Sequence, residues 1–339
     1  MNEIFKIGNE AVVMDPSIEA VPFLQSADPN FRIQSVRPSG GLVPKWQSAK
    51  DNGILEEKSH EALAMLYACE LCGWKCKVNR FREKGKCGLM DKTLYYAPFI
   101  HIAEEPVINP ALVINFTGCS MNCVYCVRQV QKKQETISEN AESFWKRING
   151  LVQLYPGVCS IEFGGGDPVP YLPWILTCLK YSPDDMFLPL VWNSNLFVSE
   201  RGIDLLDGIV DVYVPDFAFG NDSCAKRLSG VDDYMAAATQ GIELMVGQKA
   251  KVIVRFLVLP GHVECCHKKS IDWLSQYKDR LWISVLDQYV PVHLASKYPE
   301  IYRRPRREEI HEVEEYAAKK GLKSILDAND FWKAGEDNG

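Results

Sequence analysis

Three cysteines, Cys119, Cys123 and Cys126, have the most informative spacing in this 339-residue chain. They form a C-x3-C-x2-C pattern directly after an apolar run. Thiolates bind soft and borderline metals, and they are the ligands that iron–sulfur clusters require. A four-iron cluster with only three protein ligands leaves one iron open, and an open metal position is typical of chemistry rather than of a structural site. Structural zinc would need a fourth ligand, and residues 120–135 offer no further Cys and no His. The spacing therefore favours a 4Fe–4S cluster.

A second group of cysteines precedes the first in a C-x2-C-x3-C-x10-C pattern made by Cys69, Cys72, Cys76 and Cys87. Four thiolates with glycines between them could close a structural zinc site or hold an auxiliary iron–sulfur cluster. The spacing favours a bound metal over ordinary cysteines and leaves zinc and iron–sulfur open. The remaining cysteines are predicted to be core or shell residues rather than ligands: Cys159, Cys178, Cys224, Cys265 and Cys266.

The C-x3-C-x-aromatic-C run, with Tyr125 as the aromatic residue, resembles the signature of the radical SAM superfamily. Other stretches resemble its uncharacterised branch related to pyruvate formate-lyase activating enzyme. They are Cys69-Glu-Leu-Cys72, Cys76-Lys-Val-Asn-Arg80, Gly85-Lys-Cys87-Gly88, His101-Ile-Ala-Glu-Glu-Pro106, Gly165-Gly-Asp-Pro168, Trp192-Asn-Ser-Asn195, Asp216-Phe217, Cys224-Ala-Lys226, Leu257-Val-Leu-Pro-Gly261, Ser284 and Gln288-Tyr289. The likeness runs from Cys69 to Arg307.

The resemblance implies that S-adenosylmethionine (SAM) chelates the open iron, with Tyr125 near its adenine. The glycine-rich loop at Gly165, Gly166 and Asp167 would hold the SAM amino group, although a tight turn alone would also need these glycines. The positions that would face SAM are Asn193, Asn195 and Asp216. Gln288 would reach the ribose, the adenine or the substrate, or would be a plain loop residue. His101, Glu104 and Glu105 would lie at the site rim or have structural roles.

One position departs from the better-known activating enzymes, which carry Asp-x-Lys where this chain has Asp216-Phe217-Ala218. Ala218 lacks the cation that would pair with the SAM carboxylate. Arg255, on a later strand, could supply a bidentate substitute, and we expect it to do so. The alternative is that Arg255 pairs with a structural carboxylate.

Short apolar strands alternate with amphipathic helices from residue 111 onward, which predicts parallel pairing through right-handed crossovers. The predicted strands are 111–117, 159–164, 188–193, 210–216, 251–259 and 282–288. The predicted helices are 57–69, 138–155, 171–180, 200–208, 231–245, 266–278 and 306–320, with Ser138 as N-cap of the second. The predicted fold class is α/β, a partial (β/α)6 barrel of the radical SAM type with a cysteine-rich N-terminal extension.

The predicted domains are an N-terminal extension (1–56), a helix with the cysteine-rich segment (57–106), the partial barrel (107–325) and a C-terminal tail (326–339). Twelve cysteines without a signal-peptide pattern predict a reducing, cytoplasmic location. No apolar run reaches membrane-spanning length, and a net charge of −6 argues against a general nucleic-acid binder.

The resemblance implies an anaerobic oxidoreductase that cleaves SAM reductively and uses the 5′-deoxyadenosyl radical to abstract hydrogen. It also implies a flavodoxin or ferredoxin as electron donor. The substrate would be a protein, as for glycyl-radical enzyme activation, a peptide or a small molecule. The alternative function is a non-catalytic metal-binding or interaction protein that does not cleave SAM.

Overall fold

The computed structural model describes residues 5–7, 10–12, 43–130, 135–328 and 331–332. The chain divides into two compact units, Met1–Gln34 and Ser35–Gly339. In the first, β1 (Phe5–Ile7) and β2 (Glu10–Val12) pair antiparallel, with Phe5 opposite Val12. Most of the predicted N-terminal extension (1–56) falls outside the described residues.

The second unit alternates strands and helices along the chain. Its helices are α1 (Lys45–Asp51), α2 (Ile54–Met65), α3 (Ala141–Leu154), α4 (Leu172–Lys180), α5 (Glu200–Asp204), α6 (Asp222–Ser229), α7 (Tyr234–Gly247), α8 (Lys268–Leu274) and α9 (Arg307–Lys319). Its strands are β3 (Tyr95–Tyr96), β4 (Phe99–His101), β5 (Ala111–Phe116), β6 (Thr136–Ile137), β7 (Ser160–Gly165), β8 (Leu190–Ser194), β9 (Val212–Pro215), β10 (Lys251–Leu257), β11 (Trp282–Leu286) and β12 (Lys323–Ser324). None of the helices in the described ranges has the length and apolar character needed to cross a membrane.

The sheet of this unit has its parallel strands in chain order, β5-β7-β8-β9-β10-β11-β12. Antiparallel strands β4 and β3 add to β5, and β6 pairs with β3. Within the described part of the chain the sheet is open, with β12 and β6 at its two ends. Sequential parallel strands joined by helical connections form a partial (β/α) barrel, so the predicted fold class is confirmed.

The helices pack their apolar sides on the sheet. Helix α3 buries Phe144, Trp145 and Ile148, as its helical periodicity predicts. Its N-cap is Asn140, whose side chain accepts a hydrogen bond from the Ser143 backbone N at 2.9 Å. The prediction of Ser138 as N-cap was wrong because β6 occupies Thr136–Ile137 and the helix begins only at Ala141.

The core of the larger unit also includes Trp46, near the start of that unit's described residues, and Phe331 and Trp332, at their end. Trp46 of α1 is fully buried, stacks on Trp145 and donates through Nε1 to the Leu188 carbonyl at 3.0 Å. Phe331 packs against Trp282, and Trp332 donates to the Val107 carbonyl. Segments that the sequence analysis assigned to an extension and a tail thus contribute side chains to this core.

Candidate functional site

The loop after β5 carries the first cysteine group, and residues 117–126 are called the cysteine loop below. Two backbone hydrogen bonds join it to the end of α6, from Asn122 N to Ser229 O at 3.0 Å and from Val124 N to Leu228 O at 2.8 Å. The Val124 carbonyl accepts from Leu294 N at 2.8 Å. The loop therefore lies at the carboxyl ends of the parallel strands, where α/β barrels place their functional residues.

Side chains from the next two strand ends hold the first turn of the cysteine loop. Cys119 Sγ accepts from the Met121 backbone N and from Asn195 Nδ2, both at 3.3 Å. Ser120 Oγ donates to Asp167 Oδ2 at 2.7 Å. Burial raises the pKa of Asp167 to about 7. Asp167 and Asn195, which the sequence analysis placed against SAM, thus contact the turn that carries Cys119.

The glycine-rich loop after β7 lies against the same turn. A Cβ on Gly166 would come within 2.2 Å of the Gly118 carbonyl oxygen, and a Cβ on Gly165 within 2.6 Å of Asn115 Cα. Gly165 also has a φ of +98°, which other residues rarely adopt. Both glycines therefore permit close backbone contact between this loop and the chain leading to Cys119.

The thiols of the cysteine loop suit a positively charged metal group. Burial, aided by Asp167, raises the pKa of Cys119 well above its usual value, and burial with Cys126 nearby raises the pKa of Cys123 to about 12. Thiols in such surroundings ionise when a cation compensates the thiolate charge. Three half-buried thiols, with two N–H donors already on one sulfur, form a donor set that fits an iron–sulfur cluster.

Tyr125 belongs to the cysteine loop and contacts the segment that follows β11. Its ring meets the ring of Tyr289 edge-on, with centroids 5.6 Å apart, and Tyr289 in turn donates to the Ile301 carbonyl at 2.8 Å. The Asp216 carboxylate is close enough to raise the pKa of both Cys123 and Tyr125, after the larger effect of burial. These contacts connect the cysteine loop with the polar side chains inside the barrel.

Those polar side chains form what we call the interior polar group. It comprises His101, Glu104, Glu105, Glu162, Asn193, Asp216, Arg255 and Gln288, contributed by β4, β7, β8, β10 and the segments beside them. Four carboxylates share this space with one guanidinium and one imidazole. Burial raises the pKa of Glu162 and raises that of Asp216 to about 7 although Arg255 opposes both shifts.

Arg255 is engaged by two carboxylates of the interior polar group. It donates to Glu105 in a bidentate pair, from Nε at 2.8 Å and from Nη2 at 2.6 Å, and Nη2 lies 2.9 Å from Glu104 Oε2. Glu105 is fully buried and Arg255 is 7% exposed. The structure therefore has the structural pairing that the sequence analysis named as the alternative, and binding of the SAM carboxylate by Arg255 stays a prediction.

Further pairs join other members of the group. Gln288 Nε2 donates to Glu104 Oε1 at 2.6 Å, and His101 Nε2 lies 3.8 Å from Glu104 Oε2. Burial opposes ionisation of Glu104, but its partners His101 and Arg255 lower its pKa to about 2. Asn193 Nδ2 donates to Glu162 Oε1 at 2.7 Å. Asn193 and Gln288 thus bind carboxylates of the barrel interior in this structure.

The four earlier cysteines, Cys69, Cys72, Cys76 and Cys87, lie near one another in a segment of tight turns. A Cβ on Gly85 would lie 3.2 Å from Cys87 Sγ and 3.6 Å from Cys76 Sγ. Burial raises the pKa of Cys87, with smaller contributions from Cys69 and Cys76. A metal held by these four thiolates stays a prediction that this proximity supports.

A further cluster of potential ligands went unrecognised in the sequence. Cys224, His262, Cys265 and Cys266 bring their ligand atoms within 4.8 Å of one another. The sequence analysis predicted these cysteines to be core or shell residues. The H-x2-C-C run was the available signal, but Cys224 lies 38 positions before His262 in the chain and the fold alone brings it close.

Comparison with known proteins gives a relative and several solved structures of similar fold, while no family model matches the chain. Methylornithine synthase (PylB) aligns over 82% of this chain and 77% of its own at a TM-score of 0.43 and 12% identity. Streptococcus suis SuiB, bound to precursor peptide SuiA, aligns over 61% of this chain and 45% of its own at a TM-score of 0.42 and 18% identity. The uncharacterized protein MJ0674 of Methanocaldococcus jannaschii is 36% identical over 282 residues, 81% of each protein. The chain belongs to the same family as MJ0674.

Proposed function

We propose that this protein is a radical SAM enzyme. Cys119, Cys123 and Cys126 would hold a 4Fe–4S cluster, whose open iron would bind SAM. When bound, this pair of cofactors would supply one-electron cleavage of the SAM sulfonium to methionine and a 5′-deoxyadenosyl radical, which takes a hydrogen atom from the substrate to give 5′-deoxyadenosine and a substrate radical. The electron would come from a reduced flavodoxin or ferredoxin.

The observation that supports this most strongly is the setting of the cysteine loop. Its three thiols lie at the carboxyl end of β5, and Asn195 and the Met121 backbone already donate to Cys119. N–H donors to a cluster sulfur are one of the features by which proteins tune its potential. Asp167 also holds the loop by accepting a hydrogen bond from Ser120. The chain's own residues thus fix the position of the first ligand.

The chain's other residues would bind and orient SAM and the substrate. Tyr125 would lie along the adenine, while Gly165 and Gly166 would present backbone groups to the SAM amino group. Asp216 and Gln288, at neighbouring strand ends, would face the ribose or the substrate. The interior polar group would keep the interior of the barrel polar and ordered.

We also propose a class of substrate and the conditions of the reaction. The substrate would be a protein of the glycyl-radical type, a peptide or a small molecule, and the reaction would need anaerobic conditions in the cytoplasm. A non-catalytic metal-binding protein is the competing function. It would share the metal centres and differ in leaving SAM intact.

The cluster assignment is tested by EPR spectroscopy of anaerobically reconstituted and reduced protein. We expect Cys126→Ser to lose the reduced-cluster signal of this site, because a cluster with two remaining thiolates is poorly held. Cys178→Ser is the matched control, since Cys178 is a buried residue of α4 and not part of the cysteine loop. A folded Cys126→Ser variant that keeps the full signal, after subtraction of any signal from Cys69, Cys72, Cys76 and Cys87, would refute the assignment.

A further inference from the structure

The third cysteine cluster lies at the same end of the barrel as the cysteine loop. Cys224 belongs to α6, which follows β9. Cys265 and Cys266 belong to the turn after β10, and His262 directly precedes that turn. That turn, Val263–His267, is a π-helical turn, a conformation frequent at functional sites. The imidazole of His262 and the adjacent thiols of Cys265 and Cys266 therefore lie close to the Cys224 thiol of α6.

Four of the six distances between these four ligand atoms are close to those of a tetrahedral zinc site, and the other two are at most 4.8 Å. His262 Nδ1 lies 3.4 Å from Cys265 Sγ and 3.6 Å from Cys266 Sγ. The Cys265 and Cys266 sulfurs are 3.8 Å apart, and Cys224 Sγ is 4.0 Å from Cys265 Sγ. A tetrahedron with Zn–S of about 2.3 Å and Zn–N of about 2.05 Å has ligand–ligand edges of about 3.8 Å (S–S) and about 3.5 Å (S–N).

We propose that Cys224, His262, Cys265 and Cys266 bind one zinc ion as a closed Cys3His structural site. Three thiolates and one imidazole are an established donor set for structural zinc. All four positions of the tetrahedron are filled by the protein, so the ion stabilises the structure and activates no water. It joins α6, on which the cysteine loop rests, to the turn after β10.

Contacts around the four ligands support the site. Asn221 Nδ2 donates to the Cys265 carbonyl at 2.8 Å and lies 3.3 Å from Cys224 Sγ and 3.6 Å from Cys266 Sγ. Donors of this kind orient metal-bound thiolates. A Cβ on Gly220 would come within 2.2 Å of the Cys266 carbonyl oxygen, so the chain before α6 approaches the π-helical turn closely.

The imidazole is arranged as a ligand through Nδ1. His262 is 2% exposed, and its other nitrogen, Nε2, lies 3.9 Å from Glu300 Oε1. A metal-binding histidine commonly directs its second nitrogen toward a carboxylate, which fixes the tautomer.

The alternative to a bound zinc ion is a disulfide between two of these thiols. It would join two sulfurs at about 2.05 Å and leave the third thiol and the imidazole without a role. The observed sulfur separations of 3.8 and 4.0 Å, with the imidazole facing two of the thiols, suit a shared central ion better.

Zinc content measured by mass spectrometry of protein purified anaerobically without added metal tests the site. We expect Cys224→Ser, His262→Gln and Cys265→Ser each to contain one zinc per chain fewer than wild type. Cys178→Ser, a buried cysteine elsewhere, should keep the wild-type content. Unchanged zinc in a folded Cys265→Ser variant would overturn the proposal.

Crystals of the wild-type protein provide a second measurement if these variants fail to fold. Diffraction data collected on both sides of the zinc absorption edge should show an anomalous peak between the four side chains. The proposal is overturned by wild-type crystals with no peak there, by a continuous Sγ–Sγ disulfide in its place, or by a peak at the iron edge and none at the zinc edge.

Discussion

Arg255 shows how far the chemistry of a single residue depends on partners that are distant in sequence. Its place on a strand near the barrel mouth could be predicted, and so could its charge. Its partner Glu105, 150 positions earlier, could not be identified as such. Because the pair is bidentate and almost fully buried, each charge compensates the other in a place where neither is well solvated.

Arg255→Ala should lower the free energy of unfolding by about 3–5 kcal/mol, because it leaves the Glu105 carboxylate buried and unpaired. Urea denaturation measures this loss. The double variant Arg255→Ala/Glu105→Ala should recover part of it, since the orphaned charge is then removed. Unfolding of Arg255→Ala at the wild-type midpoint, or strictly additive losses in the double variant, would show that the pair contributes little.

Asp167 and Asn195 also show that a side chain's partners are harder to predict from sequence than its position. The sequence places both after apolar strands, and in the structure they follow β7 and β8 and contact the cysteine loop. Their hydrogen bonds to Ser120 and Cys119 depend on the loop's conformation, which no residue pattern specifies. Sequence could therefore predict the neighbourhood of these side chains but not the atoms they contact.

Among the elements, the most informative pair is the cysteine loop and the glycine-rich loop after β7. They meet backbone to backbone, so that the carbonyl of Gly118 occupies the space that a side chain at position 166 would need. Neighbouring parallel strands β5 and β7 bring the two loops together, with Phe116 opposite Gly165. The position of Cys119 thus depends on the absence of a side chain on an adjacent loop.

Gly166→Ala should reduce thermal stability and the iron bound per chain after reconstitution. The added Cβ would lie 2.2 Å from the Gly118 oxygen, so the cysteine loop must shift, and overpacking of this kind costs about 1–3 kcal/mol. Gly157→Ala is the matched control, because a Cβ there meets nothing within 4 Å. Equal melting temperatures and equal iron content in the two variants would contradict the role assigned to this contact.

The parallel strands β5, β7, β8, β9, β10 and β11 could be predicted to within a few residues because each is a short apolar run between turn residues. The parallel strand β12, with two residues, was not predicted. Helix α6 (Asp222–Ser229) was not predicted. It is short and its buried side chains are few, with Asn221 as its N-cap, so its periodicity is weak. Strands β3, β4 and β6 were also not predicted, because runs of two or three residues carry no period of their own.

At the scale of the whole molecule, three groups of cysteines lie at the same end of the open parallel barrel. The cysteine loop and the Cys224 cluster both follow the carboxyl ends of strands and share α6 as a support. The segment from Cys69 to Cys87 meets the chain after β8, where Gly73 N donates to Phe197 O at 3.1 Å. Metal bound at these places would add to the stability of the connections between these segments.

Chromatographic assay of 5′-deoxyadenosine tests whether the protein cleaves SAM reductively. Protein loaded with its cluster under anaerobic conditions is mixed with SAM and dithionite, with Cys126→Ser as the negative control and Cys178→Ser as the matched control. We predict slow formation of 5′-deoxyadenosine by the wild type and Cys178→Ser and none above background by Cys126→Ser. A fully loaded wild-type protein that neither binds SAM nor forms 5′-deoxyadenosine would contradict the account and favour a non-catalytic metal protein.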